Sequence, residues 1–214
     1  MRNLWNDKDA TSFQAKDGEL GLRVYTSRLL GENERLVLVG GGNTSVKLTE
    51  KNILGEEAEL LYVKGSGWDL SDIEAPGFAG VRMDHCLSLL ELPELSDASM
   101  VNELKLHCTL HSAPTPSVET LLHACLPFKY VDHTHADAVV TLTNLSDGES
   151  RVREIYGDRV LYVPYVMPGY ELAKYCSDLW KRDGRDDLLG MVLLNHGIFS
   201  WGKDARESYE RMIS

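Results

Sequence analysis

Hydrophobic and polar positions along the chain follow two rhythms. Short apolar or alternating runs at 36–39, 46–48, 60–63, 78–83, 130–135, 160–166, 190–194 and 198–201 predict β-strands. Longer stretches at 8–30, 84–92, 97–111, 117–125, 136–144, 151–156, 169–182 and 204–213 predict helices. In the first helix, Leu20, Leu22, Val24, Ser27, Leu29 and Leu30 supply the core face, while Gly18 and Gly21 weaken it. Ser96 or Asp97 is placed to cap the helix over 97–111, and Pro114-Thr115-Pro116 breaks the chain before the next one. Gly31 to Glu34 and Lys51-Asn52 read as turns. Several neighbouring strands are joined by short turns, so a mixed or antiparallel sheet is expected rather than a doubly wound one.

Length narrows this to one α/β domain spanning 1–214, large enough to bury a sizeable core. Hydrophobic content of 43% and charged content of 26% are those of a globular chain and exclude a disordered one. A net charge of -11 disfavours a nucleic-acid backbone or an anionic membrane as partner. A small anionic substrate stays compatible where a local metal or helix N-terminus offsets that charge. The cysteines Cys86, Cys108, Cys125 and Cys176 form no C-x-x-C pair and fit a reduced, cytoplasmic protein. The polar stretch from Met1 to Asp17 has no signal-peptide core, and no apolar run reaches membrane-spanning length.

Chemistry concentrates at Asp132-His133-Thr134-His135. Histidines two apart on a strand point to one face, and imidazole is the commonest neutral metal ligand. Many such pairs are ordinary surface or core residues. His196, at the end of a predicted strand and ahead of Gly197, supplies a third ligand; three histidines with one open position make a catalytic Zn²⁺ pattern. Glu119 opens the helix over 117–125, where the helix dipole alone favours a carboxylate. Beside a metal it would instead move a proton next to a carbonyl. His123 follows one turn later and either packs beneath the site or hydrogen-bonds Glu119. Two glycine-rich loops, Gly40 to Ser45 and Lys64 to Gly67, are tight turns or anion-binding nests, and neither has dinucleotide or P-loop spacing. His107 and His111 lack the H-E-x-x-H pattern and read as partly exposed helix residues; His85 has no evident partner.

In order, Gly42-Asn43-Thr44-Ser45, Lys64-Gly65-Ser66-Gly67, Pro116-Ser117-Val118-Glu119-Thr120, His133-Thr134-His135 and Asn195-His196-Gly197 resemble the class II aldolase/adducin family. Fuculose-1-phosphate aldolase and ribulose-5-phosphate 4-epimerase are familiar members. The longer words around the two glycine loops and Glu119 look similar to the aldolase half of bifunctional rhamnulose-1-phosphate aldolase/short-chain dehydrogenase proteins. The chain is then either a stand-alone relative or a fragment of a longer bifunctional one. The resemblance implies a three-layer α/β/α fold with a mainly antiparallel central sheet. It implies Zn²⁺, or another divalent metal such as Co²⁺ or Mn²⁺, held by His133, His135 and His196. It implies Glu119 as the catalytic acid/base, and Gly42, Asn43, Ser66, Gly67 and Ser117 as the residues that bind the substrate phosphate. Val118 stands where the sugar-phosphate aldolases carry a second serine, which removes one phosphate hydrogen bond. The implied activity is aldol cleavage or formation in a ketose phosphate or related sugar through a metal-stabilised enediolate, in a homo-oligomer with inter-subunit sites. An epimerase, dehydratase or decarboxylase would share that intermediate. A non-catalytic adducin-like interaction module would be expected to lack the histidines.

Overall fold

The computed structural model describes residues 1–214. The elements run α1 (Asp7–Gly31), β1 (Asn43–Lys51), β2 (Glu57–Lys64), a 3-10 turn (Ala75–Gly77), β3 (Phe78–Arg82), α2 (Met83–Leu89), α3 (Asp97–Leu106) and α4 (Thr120–Cys125). They continue with β4 (Tyr130–Thr134), α5 (Asp137–Thr143), α6 (Gly148–Tyr156), β5 (Val160–Val163), α7 (Tyr170–Asp183), β6 (Gly190–Leu193), β7 (Gly197–Gly202) and α8 (Ala205–Ile213). All seven strands join one sheet in the order β3-β2-β1-β4-β7-β6-β5. Every pairing is antiparallel except β5 with β6. The expected mainly antiparallel α/β sheet is therefore present.

Strand alternation sends successive side chains to opposite helical layers. Leu61, Val63, Val131, Met191, Phe199 and Trp201 bury against α2, α3, α4 and α7. On the other face Val160 and Val192 pack with α1, α5, α6 and α8, and Val46 and Tyr130 with Ala205. This is the three-layer arrangement. Asn6 caps α1, Ser96 caps α3 and Asp204 caps α8, each through a side-chain oxygen that accepts backbone N–H bonds. Helix α1 bends where Asp17 and Gly18 leave helical geometry, Gly18 with φ of 60°.

Behind β4, on the face opposite His133, Arg23 of α1 meets Asp132 at 2.7 Å, both side chains fully buried. Ser208 of α8 donates to the other oxygen of Asp132. Charge pairing thus ties α1 and α8 to the strand that carries the histidines.

Among the boundaries that differ from the pattern-based expectation, four have a visible cause. The run 36–39 is not a strand. Both edges of β1 are already taken by β2 and β4, so the run turns back on itself through bonds such as Leu36 N to Asn33 O. Leu36 and Val37 are buried, while Leu38 and Val39 are exposed. Helix α3 stops at Leu106, because Thr109 N bonds to Gly80 O and Cys108 bridges to Val81, drawing the chain along β3. Helix α4 starts only at Thr120, and Ser117 to Glu119 form the turn before it. Strand β5 ends at Val163, ahead of Pro164, which has no N–H for a ladder.

Candidate active site

The register of the sheet fixes His133. Its strand neighbours are Asn43 on β1 and Phe199 on β7. The ring stacks on Phe199 with centroids 4.3 Å apart. Nδ1 donates to Ile198 O at 3.2 Å, which leaves the lone pair on Nε2 facing the site. His135 follows the end of β4 and is exposed. His196 sits in the β6–β7 turn, where Asn195 adopts a left-handed φ of 58°. Asn195 anchors that turn by donating to Thr143 O at 3.0 Å. Only glycine fits at 197: a Cβ there would lie 2.4 Å from Thr134 O and 3.1 Å from His133 Cε1. The three rings lie 4.9, 5.0 and 5.3 Å apart by centroid. Each offers one ring nitrogen, all within 4.8 Å of one another.

Glu119 enters this triangle from the N-terminus of α4, only 6% exposed. Its Oε2 lies 3.4 Å from His133 Nε2 and its Oε1 3.3 Å from His196 Nε2. Burial, reinforced by His135, pushes His133 down to about 3. Burial, reinforced by His133, pushes His196 to about 4. Both rings are therefore neutral near pH 7, the protonation state in which imidazole binds metal. Glu119 Oε1, His133 Nε2 and His196 Nδ1 are buried without a hydrogen-bond partner. Buried polar atoms are normally paired. Imidazole nitrogens converging with an unpaired carboxylate oxygen are the donor set of a divalent cation, so these residues fit one.

Asn43 Nδ2 donates to Glu119 Oε2 at 2.6 Å. The ring of His123, fully buried and held neutral mainly by that burial, contacts Asn43 rather than the Glu119 carboxylate. Beside Glu119 opens a cleft of about 520 Å³. Both glycine loops line it, and all five expected phosphate-binding residues, Gly42, Asn43, Ser66, Gly67 and Ser117, are on its wall. The loops are cross-linked by Gly40 N donating to Asp69 Oδ1. Gly42 has φ of 64° and no room for a Cβ, which would meet Val37 Cγ1 at 2.5 Å and His133 O at 2.8 Å. Ser117 Oγ accepts from Glu119 N at 3.2 Å, so its own O–H stays available.

Sequence reasoning missed Lys64. It ends β2, is 6% exposed and lines the cleft. Burial lowers its pKa, partly opposed by Asp69. The signal was present, a lysine directly ahead of Gly65-Ser66-Gly67, but only the loop's backbone was read as anion-binding.

A sequence model of the Class II Aldolase and Adducin N-terminal domain matches residues 22–214. The chain belongs to this family. The N-terminal class II aldolase domain of a conserved protein from Thermoplasma acidophilum is 39% identical. It superposes with a TM-score of 0.89 over 100% of this chain and 94% of that one. YuxG of Bacillus subtilis, named an uncharacterized oxidoreductase, is 38% identical over 215 residues. The match takes in 100% of this chain but only 30% of YuxG, so the chain spans under a third of that curated relative. A sugar-phosphate aldolase from Thermotoga maritima shares the fold, with TM-score 0.62 and 17% identity over 90% of this chain and 88% of its own.

Class II aldolases generally use a divalent metal, and this member's histidine cluster suits one. A second cluster, His85, Glu103 and His107, is also close enough to hold an ion. Its atoms are instead bonded among themselves: His85 Nε2 to Glu103 Oε2 at 3.0 Å, and His107 Nδ1 to Glu103 O at 2.8 Å. The two rings stack at 3.2 Å. So His85 does have partners, and His107 pairs with it rather than with His111, which lies exposed beyond α3. No helix of the fold is long and apolar enough to cross a membrane.

Proposed function

We propose that this domain is a divalent-metal-dependent aldolase, cleaving or forming a C–C bond beside the carbonyl of a ketose phosphate or related sugar. The observation that carries this is the convergence of three imidazoles, two of them held neutral by burial and within 3.4 Å of a buried carboxylate, at a cleft with a lysine in its wall. His133, His135 and His196 would hold Zn²⁺ or a similar ion such as Co²⁺ or Mn²⁺. Bound there, it would polarise the substrate's carbonyl and hydroxyl oxygens and offset the charge of the enediolate.

Glu119 moves the proton. Asn43 occupies Oε2, so Oε1 takes up the proton from the carbon beside the carbonyl in the direction of synthesis. In the direction of cleavage it returns that proton to the enediolate carbon. The substrate's anionic end fits the glycine loops: N–H groups near Gly42 and Gly67, and the hydroxyls of Ser66 and Ser117. Lys64 adds a full charge, which makes up for the hydroxyl absent at Val118.

Residues 1–214 are taken as one domain, with a dehydrogenase half outside it in longer relatives. The naming of YuxG as an oxidoreductase, of which the chain matches 30%, supports that division. Leu38, Val39 and Val118 are exposed near the cleft and support a homo-oligomer with shared sites. Four free cysteines support a cytoplasmic setting. The charge of -11 leaves nucleic acid and anionic membranes out of the partner set.

The test is metal analysis of purified protein, followed by product analysis with ketose phosphates and sugar acids in added Zn²⁺ or Co²⁺. Stoichiometric metal and aldol products are expected, and both should be lost in His133→Ala. Retention of both in that variant would overturn the assignment. Epimerised, dehydrated or decarboxylated products would move the chain to another branch of the superfamily. Absence of metal from folded but inactive protein would favour a non-catalytic module.

A further inference from the structure

Glu119 is gripped through one oxygen, and the group that grips it is itself held. Asn43 Nδ2 donates to Glu119 Oε2 at 2.6 Å. Asn43 Oδ1 meets His123 Nε2 at 2.5 Å. His123 Nδ1 meets Ser45 Oγ at 2.8 Å. All four side chains are buried: Glu119 at 6% exposure, Asn43 at 7%, His123 and Ser45 at 0%.

Elimination fixes the direction of each bond. A carboxylate only accepts, so the amide nitrogen must face Glu119. The amide oxygen then faces His123 and also only accepts, so Nε2 carries the ring hydrogen. A neutral ring protonated there has a bare Nδ1, which accepts from the Ser45 hydroxyl. Flipping Asn43 would set two acceptor oxygens 2.6 Å apart at Glu119. The bonds therefore share one polarity: Ser45 donates to His123, His123 to Asn43 and Asn43 to Glu119.

The backbone makes the arrangement rigid. Asn43 and Ser45 are two apart on β1 and face the same layer. Asn43 lies directly opposite His133 in the ladder and Ser45 opposite Val131. His123 lies one turn into the helix that Glu119 opens, its N–H bonded to Glu119 O at 3.1 Å. Its ring meets the edge of Phe199, on which His133 stacks.

We propose that His123 and Ser45 are positioning residues for proton transfer. They pin the Asn43 amide so that its N–H clamps Oε2 of Glu119 and leaves Oε1 as the oxygen that exchanges the proton. The proposal rests on Glu119 being the proton-transfer group. Without His123 the Asn43 amide is held only by its bond to Glu119, so it swings about that one contact and carries the carboxylate out of line with the substrate carbon.

The test compares His123→Gln, His123→Leu and Glu119→Gln with the parent. It measures exchange of the carbon-bound proton of dihydroxyacetone phosphate into D₂O, a half-reaction that needs no aldehyde. Metal content and Tm are read on the same samples. Glutamine can still donate to Asn43 and accept from Ser45, whereas leucine does neither and fills the space against Phe199. His123→Leu should lower kcat for exchange about 10- to 100-fold, with KM within about threefold and metal retained. His123→Gln should recover to within about threefold of the parent. A packing role alone predicts the opposite order, so leucine performing as well as glutamine would overturn the proposal. Glu119→Gln inactive beside a fully active His123→Leu would overturn only the positioning role. An active Glu119→Gln would remove the assignment of Glu119 itself. A measurement free of turnover is the ¹⁵N spectrum of the His123 ring: the Nε2–H tautomer is expected, and an Nδ1–H tautomer would overturn the polarity.

Discussion

Replacing Asp132 by alanine should destabilise this protein far more than an ordinary surface substitution. Asp132 and Arg23 are both fully buried and 2.7 Å apart. Arg23 also donates to Thr26 Oγ1 at 2.6 Å, Ser27 Oγ at 3.3 Å and Ser45 O at 3.4 Å, but these acceptors are neutral. Asp132→Ala leaves the guanidinium in the core with no opposing carboxylate and Ser208 Oγ without its acceptor. Breaking a buried pair from one side costs about 3–5 kcal/mol, against a total stability of roughly 5–15 kcal/mol. For a chain of this size each kcal/mol moves Tm by about 2–4 °C. The expected fall is therefore roughly 6–20 °C, followed by calorimetry or by fluorescence of the buried Trp201 during heating. The double variant Arg23→Met with Asp132→Leu should recover most of the loss, because an apolar pair of similar volume avoids the desolvation penalty. A Tm drop under about 2 °C in Asp132→Ala would refute the reasoning. So would a double variant whose losses simply add, since the damage would then not come from the unpaired charge.

Gly197→Ala should weaken Zn²⁺ binding at least about tenfold, because the new Cβ would lie 2.4 Å from Thr134 O, a ladder carbonyl that cannot yield cheaply. Titration calorimetry with an unchanged affinity would contradict this. Lys64→Met should raise KM for a phosphorylated substrate by about 10- to 100-fold, the range for losing a hydrogen bond to a charged group. The unphosphorylated analogue should be far less affected, and equal losses for both would place Lys64 outside anion recognition. Stability of the metal-free protein should fall with acidification. His133 and His196 titrate at about 3 and about 4 when folded but near the usual histidine value when unfolded. Below about pH 6.5 the unfolded state therefore binds more protons, and each histidine removes about 1.4 kcal/mol per pH unit until its folded value is reached. Urea melts at stepped pH check the slope, and a His133→Ala, His196→Ala double variant with the same acid sensitivity would rule these two residues out as its source.

The helices and strands were legible because local periodicity encodes them, and the misreadings occurred where a neighbour overruled it. The apolar run 36–39 has strand composition, yet both edges of β1, the strand that follows it, are already taken. The stretch after Leu106 continues a helical pattern, yet bonds along β3 hold it extended. The candidate site divides in the same way. His133 and His135 announce themselves through spacing, and His196 through its place at a glycine turn. The support beneath them could not be read in that way. Ser45, Asn43, His123 and Glu119 are bonded across separations of 76 to 80 residues, and no sequence window contains such a relation. Even the face of each residue follows from strand register: Asn43 comes to Glu119 because it pairs with His133, while Thr44, one residue along, pairs with Asp132 on the Arg23 side. A slip of one residue between β1 and β4 would turn Asn43 to the opposite layer and bring Thr44 to the carboxylate. The register of two central strands therefore specifies the chemistry of this site as firmly as its histidines do.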